Sequence, residues 1–171
     1  MKALLVAAAM AASVPEPSGY WTGPTQGETP ATVAGATVIH TALLAGLIRK
    51  DKPVLIDVSP EPPPPPDLPA GTVWMAPPHR DIPGSTWLQE AGRGEISPEA
   101  EDFYRTTLGR LTKGSKTRPV VVYCHPKCWL SWNATKRALS FGYRHVYWYP
   151  DGIEGWQAAG KKVATTEALK P

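Results

Sequence analysis

The chain has 171 residues, of which 42% are hydrophobic and 19% charged, with a formal net charge of +3. That is enough chain for one domain with a core of its own, and the basic excess is too small and too scattered for a nucleic-acid footprint. The first residues, MKALLVAAAMAA, join one lysine to an apolar run that is too short to span a bilayer. Ala9-Met10-Ala11 fits the small-x-small pattern of secretory cleavage. A signal peptide over residues 1–12, cleaved near Ala11 or Ala12, is therefore expected. The mature protein would be exported to the periplasm of a bacterial host, an oxidising compartment. No later segment is apolar enough to cross a membrane.

Residues 13–36 are rich in Pro, Gly and Thr and read as an extended arm laid on the surface by Tyr20 and Trp21. The domain proper is expected over residues 37–165. Its first segment, TVIHTALLAGLIRK, puts Val38, Leu43, Leu44, Leu47 and Ile48 on one helical stripe with basic residues at the end. KPVLIDVS suits a buried parallel strand ending at Asp57. PEPPPPPDLP is a stiff polyproline II loop. GTVWMAP is expected to form a second strand, and DIPGSTWL a turn. SPEAEDFYRTTLGRLTKG carries helix start and stop signals: Ser97, Pro98, early acids and a closing Gly114. RPVVVYC is a strand, WLSWNATKRALSFG a helix closed by Gly142, HVYWYP a strand and GIEGWQAAG a short helix. Strands alternating with helices predict an α/β fold with a parallel sheet.

The only cysteines, Cys124 and Cys128, stand together in PVVVYCHPKCWLSWNA. In an open parallel sheet, chemistry gathers where strands end. Cys124 occupies such an end, just before a helix whose first N–H groups face the intervening loop. The helix dipole, a protonated His125 and Lys127 all favour a thiolate there. His125 is also a candidate general acid. Asp57 ends the neighbouring strand and is a candidate for orienting the loop or for capping its own turn. Three readings of the pair stay open: a redox or sulfur-handling couple, an inert local disulfide, and a metal or cofactor ligand. The loop is too short for its closure to restrict the unfolded chain much. No metal centre is expected, because zinc wants about four ligands and only His125 and the distant His79 are at hand. Trp129, Trp132, Trp148 and Trp156 read as packing residues, with Trp129 giving the loop an apolar rim.

Several of these strings resemble the rhodanese-like domain. KPVLIDVS is similar to that family's first central strand, DIPGS to its His-Ile-Pro-Gly-Ala turn, and PVVVYC to the strand carrying its cysteine. FGYRHVYWYPDGIEGWQAAGKKV is similar to its closing strand and helix. The resemblance implies a central parallel sheet with helices on both faces. It makes Cys124 the persulfide-forming residue and the backbone of residues 125–130 an anion cradle, with Pro126, Lys127, Trp129, Leu130 and Ser131 around it. A narrower resemblance, carried by the Cys-x-x-x-Cys-Trp string and WYPDG, is to exported proteins associated with alcohol catabolism by dehydrogenases dependent on pyrroloquinoline quinone (PQQ).

The loop His125-Pro126-Lys127-Cys128-Trp129-Leu130 lacks the Arg and Gly usual in active sulfurtransferases. Phosphatases of similar fold have a longer loop, but they need an Arg that holds phosphate bidentately, and none is present here. The expected function is sulfur or thiol–disulfide chemistry at Cys124 and Cys128, accessory to PQQ-dependent alcohol oxidation. A small sulfur donor or thiol would be the substrate, a PQQ-dependent dehydrogenase or its cytochrome the partner, and no cofactor would be required. The alternative is a non-catalytic module binding a redox cofactor, a small anion or such a protein partner.

Overall fold

The structure is a computed structural model and describes residues 14–89 and 91–170. The expected signal peptide, residues 1–12, lies outside the described residues. In chain order the elements are β1 (Thr37–Val38), α1 (Thr41–Asp51), β2 (Val54–Asp57), β3 (Arg80–Asp81), β4 (Thr86–Trp87) and α2 (Pro98–Leu111). They continue with β5 (Val120–Tyr123), α3 (Trp129–Ser140), β6 (Val146–Tyr149), α4 (Gly152–Ala158) and β7 (Ala164–Thr165). The five-stranded sheet runs β1-β6-β5-β2-β4 and is parallel throughout, while β3 and β7 form a small antiparallel pair. This is the α/β architecture expected from the sequence.

The central strands explain themselves. VLID of β2 and VVVY of β5 are buried at every position, as strands covered on both faces must be. Their side chains alternate between two cores. Val54, Ile56, Val120 and Val122 pack with Leu108 of α2 and with Ala134 and Ala138 of α3. Leu55, Val121 and Tyr123 pack with Leu44 of α1 and with Ile153 and Trp156 of α4. Cys124 continues the first alternation and so faces α3, whereas Asp57 and Tyr123 continue the second.

Helix ends follow local chemistry where the sequence offers it. The Ser97 side chain accepts from Ala100 N at 3.2 Å, Pro98 opens α2, and Glu99 and Glu101 lie in its first turn. Helix α1 starts later than its apolar pattern predicts. Val38, placed on the helical stripe by sequence, is in β1 and pairs with Trp148. The reason is tertiary: β6 needs a partner on its outer edge, and Asp151 supplies the helix start by accepting from Thr41 N at 3.2 Å. GTVWMAP forms no strand; Val73 and Met75 are 84% and 82% exposed. The sheet position beside β2 is taken instead by Thr86–Trp87, from the segment read as a turn.

Candidate functional site

Strand β5 carries Cys124 to the C-terminal edge of the sheet, and the chain turns at once into α3. Lys127 makes the turn with a left-handed φ of 56°, and Cys128 takes the N-cap position of α3 without a side-chain cap bond. Cys124 and Cys128 are joined by a disulfide with Cα atoms 6.4 Å apart, inside the limit of about 7 Å for such a bridge. Both residues are buried, at 0% and 2% exposure. With both sulfurs in the bond, the oxidised pair offers no thiolate to a metal.

Helix α4 braces the loop from the side. Ile153 N donates to Cys124 O at 3.0 Å. Gly152 has a φ of +63°, and a Cβ there would lie 2.7 Å from Cys124 O and equally close to the His125 backbone. Only glycine permits this approach. His125 Nδ1 lies 2.7 Å from Glu154 Oε1, and its ring is partly exposed. Pro126 and Lys127 are exposed, while Trp129, Leu130 and Ser131 are buried in the first turn of α3. Ser131 Oγ donates to Cys128 O at 3.1 Å and accepts from Trp148 Nε1 at 3.0 Å.

The arm covers this loop. Gln26 forms an antiparallel bridge with Cys128: Gly27 N donates to Lys127 O and Trp129 N to Thr25 O, both at 2.9 Å. One amide of the expected anion cradle, Trp129 N, is thus taken by the protein's own backbone. Trp21 stacks on Trp129 with ring centroids 4.3 Å apart, and Trp129 meets Trp132 edge-on. Asn133 fastens both ends of the Trp21 residue, accepting from its N–H at 2.8 Å and donating to its carbonyl at 2.9 Å. Lys127 pairs with Glu28 at the surface. Lys136 Nζ donates to the carbonyls of Pro17, Ser18 and Gly19. Trp129 is therefore packed under Trp21, and together with Trp21, Leu130 and Asn133 it lines a cavity of about 170 Å³.

Asp57, at the end of the neighbouring strand, makes its hydrogen bonds elsewhere. Its Oδ1 accepts from Ser59 N at 2.7 Å and from Ser59 Oγ at 2.6 Å, and its Oδ2 lies 2.7 Å from His79 Nε2. Asp81 is fully buried beside them; its Oδ1 accepts from Ile82 N at 2.8 Å and from the Tyr123 hydroxyl. Burial, followed by the charge of Asp57, pushes the Asp81 carboxyl up to about 7. Burial also pushes the Tyr123 phenol well above its ordinary value, so it stays a donor.

The loop thus brings together Cys124, His125, Pro126, Lys127, Cys128, Trp129, Leu130 and Ser131, while Asp57 belongs to a separate cluster with His79 and Asp81. Sequence reasoning missed Thr25, Gly27, Glu28, Asn133 and Glu154. Asn133 carried a signal, as a polar residue on a helix face otherwise made for burial. Nothing in the sequence linked Thr25 or Glu154 to the loop.

The comparisons with known proteins agree with this architecture. The rhodanese-like domain family matches residues 40–159. The solution structure of a rhodanese-like domain from Anabaena sp. superimposes with a TM-score of 0.50 at 17% identity, covering 75% of this chain and 78% of that one. A 3-mercaptopyruvate sulfotransferase from Escherichia coli gives a TM-score of 0.55 at 18% identity, covering 80% of this chain and 52% of that one. At such identities the likeness bears on fold alone. A comparison with curated protein sequences gives no match. The family's domain needs no cofactor and is consistent with sulfur-transfer or thiol chemistry. With the family match spanning most of the chain, and a parallel sheet that delivers a cysteine to a loop at a helix start, the chain belongs to the rhodanese-like domain family.

Proposed function

We propose that the protein is an exported thiol–disulfide or sulfur-handling protein that works by opening and closing the Cys124–Cys128 pair. The observation that supports this reading is the pair itself, placed at the strand end and already bridged. In the reduced state the Cys124 thiolate attacks the sulfane sulfur of a donor such as thiosulfate. The donor S–S bond breaks, sulfite leaves, and a persulfide stands on Cys124. The Cys128 thiolate then attacks Cys124 Sγ and expels hydrosulfide, closing the disulfide. The two thiols lose two electrons and the sulfane sulfur gains them. With a small disulfide as oxidant, the leaving group at each step is a thiolate. An external thiol resets the pair. His125, paired with Glu154, stands beside Cys124 to favour its thiolate.

The accessory role in PQQ-dependent alcohol oxidation rests on the Cys-x-x-x-Cys-Trp string, and the periplasmic location on residues 1–12. Among the described residues no helix is long and apolar enough to cross a membrane. One observation favours a second reading, a non-catalytic module for a redox cofactor, a small anion or a dehydrogenase or cytochrome partner: the arm covers the loop and occupies Trp129 N. The two readings separate in a trapping experiment. Cys128→Ser, treated with thiosulfate, should hold a persulfide on Cys124 that mass spectrometry detects, while the reduced wild type should end as the disulfide. If neither protein reacts with thiosulfate or with a small disulfide, the module reading replaces the chemical one.

A further inference from the structure

None of the contacts described for Asp57, His79 and Asp81 reaches residues 124–131 of the cysteine loop. Asp57 and Asp81 are both 0% exposed, and the His79 side chain is only 9% exposed. One ligand atom from each of the three lies within 4.8 Å of the other two. None of the hydrogen bonds and ion pairs described for the two carboxylates comes from a lysine or an arginine. Ionised together, the two buried carboxylates would share at most one positive charge, from His79, and the rise of the Asp81 carboxyl to about 7 reflects the cost of that arrangement. Buried charge without compensation is costly, and proteins pair it or give it to a metal.

The way the oxygens are used is the second observation. In each carboxylate one oxygen is saturated by protein donors: Oδ1 of Asp57 by the Ser59 N–H and hydroxyl, and Oδ1 of Asp81 by Ile82 N and the Tyr123 hydroxyl. The remaining oxygens are Asp57 Oδ2, which meets His79 Nε2, and Asp81 Oδ2. Among the described residues Asp81 Oδ2 is buried with no hydrogen-bond partner. Buried polar atoms without a partner are rare. One oxygen held by a supporting donor while the other is left to a shared centre is the arrangement that orients metal ligands. His79 is oriented as well: its ring stacks on Trp87 at 3.8 Å with an interplanar angle of 11°.

We propose that Asp57 Oδ2, Asp81 Oδ2 and His79 Nε2 bind a divalent transition-metal ion of the zinc type. Two carboxylate oxygens and one imidazole nitrogen suit zinc, and the imidazole disfavours magnesium and calcium. His79 gives up the proton on Nε2, keeping or gaining one on Nδ1. The fourth position falls to water, from a surface cleft of about 470 Å³ that His79 borders together with Glu61, Pro77, Trp87 and Glu167. The two cleft glutamates place negative charge along the entry path.

The test uses the full, disulfide-bonded chain, stripped with a chelator and dialysed against micromolar free zinc. One zinc per chain is expected by elemental mass spectrometry. His79→Ala and Asp81→Asn should each weaken binding at least tenfold, while His40→Gln, at an exposed His–Asp pair, should leave it unchanged. A wild type that takes up no zinc overturns the proposal, as does equal uptake by both cluster variants. Should those variants fail to fold, anomalous diffraction from zinc-soaked crystals of the wild type decides: a peak between Asp57, His79 and Asp81 supports the site, and a peak elsewhere or none rejects it.

Discussion

Two adjacent strands of one sheet end in opposite ways. Strand β5 leads into Cys124, turned toward α3 and closed by a covalent bond, by backbone pairing with the arm and by a stack of tryptophans. Strand β2 ends in Asp57, turned toward the other face, where two buried carboxylates and one imidazole leave an acceptor oxygen unused. The β5 end is satisfied by the protein itself, whereas beside the β2 end Asp81 Oδ2 has no hydrogen-bond partner among the described residues. Register explains the contrast. Asp57 pairs with Tyr123, so the two strands finish level, and Cys124, one residue further, points to the opposite face.

The largest expected effect breaks the β5 end. Gly152→Ala puts a Cβ 2.7 Å from Cys124 O at a φ of +63°. Strain and overpacking together should cost about 3 kcal/mol, read from denaturant midpoints. The same variant should leave zinc uptake by the folded fraction intact if the two ends are independent. Next, Tyr123→Phe removes the hydroxyl that serves Asp81 and lies 2.6 Å from Ser85 Oγ. A loss of about 1–3 kcal/mol is expected, with no change in the rate at which thiosulfate oxidises the reduced pair. A changed rate would show that the two strand ends communicate.

Trp21→Ala tests the cover over the disulfide. Losing the stack on Trp129 should cost about 1 kcal/mol beyond the lost area. It should also speed reduction of the disulfide by a small external thiol roughly tenfold, since about 1.4 kcal/mol of cover corresponds to that factor. An unchanged reduction rate would mean that thiols reach the bridge without moving the arm. The smallest effect belongs to Glu28→Gln. Its pair with Lys127 is exposed at both partners, so stability should change by less than about 1 kcal/mol.

The parts legible in the sequence were those fixed by local pattern. The apolar runs of β2 and β5, the capped start of α2 and the glycine after α3 all report on their own neighbours. The cysteine loop was legible for the same reason, since strand, cysteine and helix follow one another. What escaped was set by partners far along the chain. Val38 became strand because β6 had a free edge, and α1 was capped by Asp151 rather than by an adjacent residue. Thr86–Trp87 became strand because Ile56 and Asp57 needed a neighbour. Asp57 and His79 were each named from the sequence, but their meeting with Asp81 was not, because His79 follows a proline-rich loop and Asp81 opens a turn, with no periodicity to place either.

The arm's attachment to α3 also carries a consequence for the order of folding. Its bonds join residues more than a hundred positions apart: Trp21 to Asn133, and Lys136 to Pro17, Ser18 and Gly19. Contacts of such separation close late, because the loop entropy between them must first be overcome. The arm, residues 14–36, is therefore expected to dock only after α3 has formed. Until it docks, Cys128 lacks its backbone cover, and this interval in folding is when an oxidant can join the two sulfurs without displacing anything.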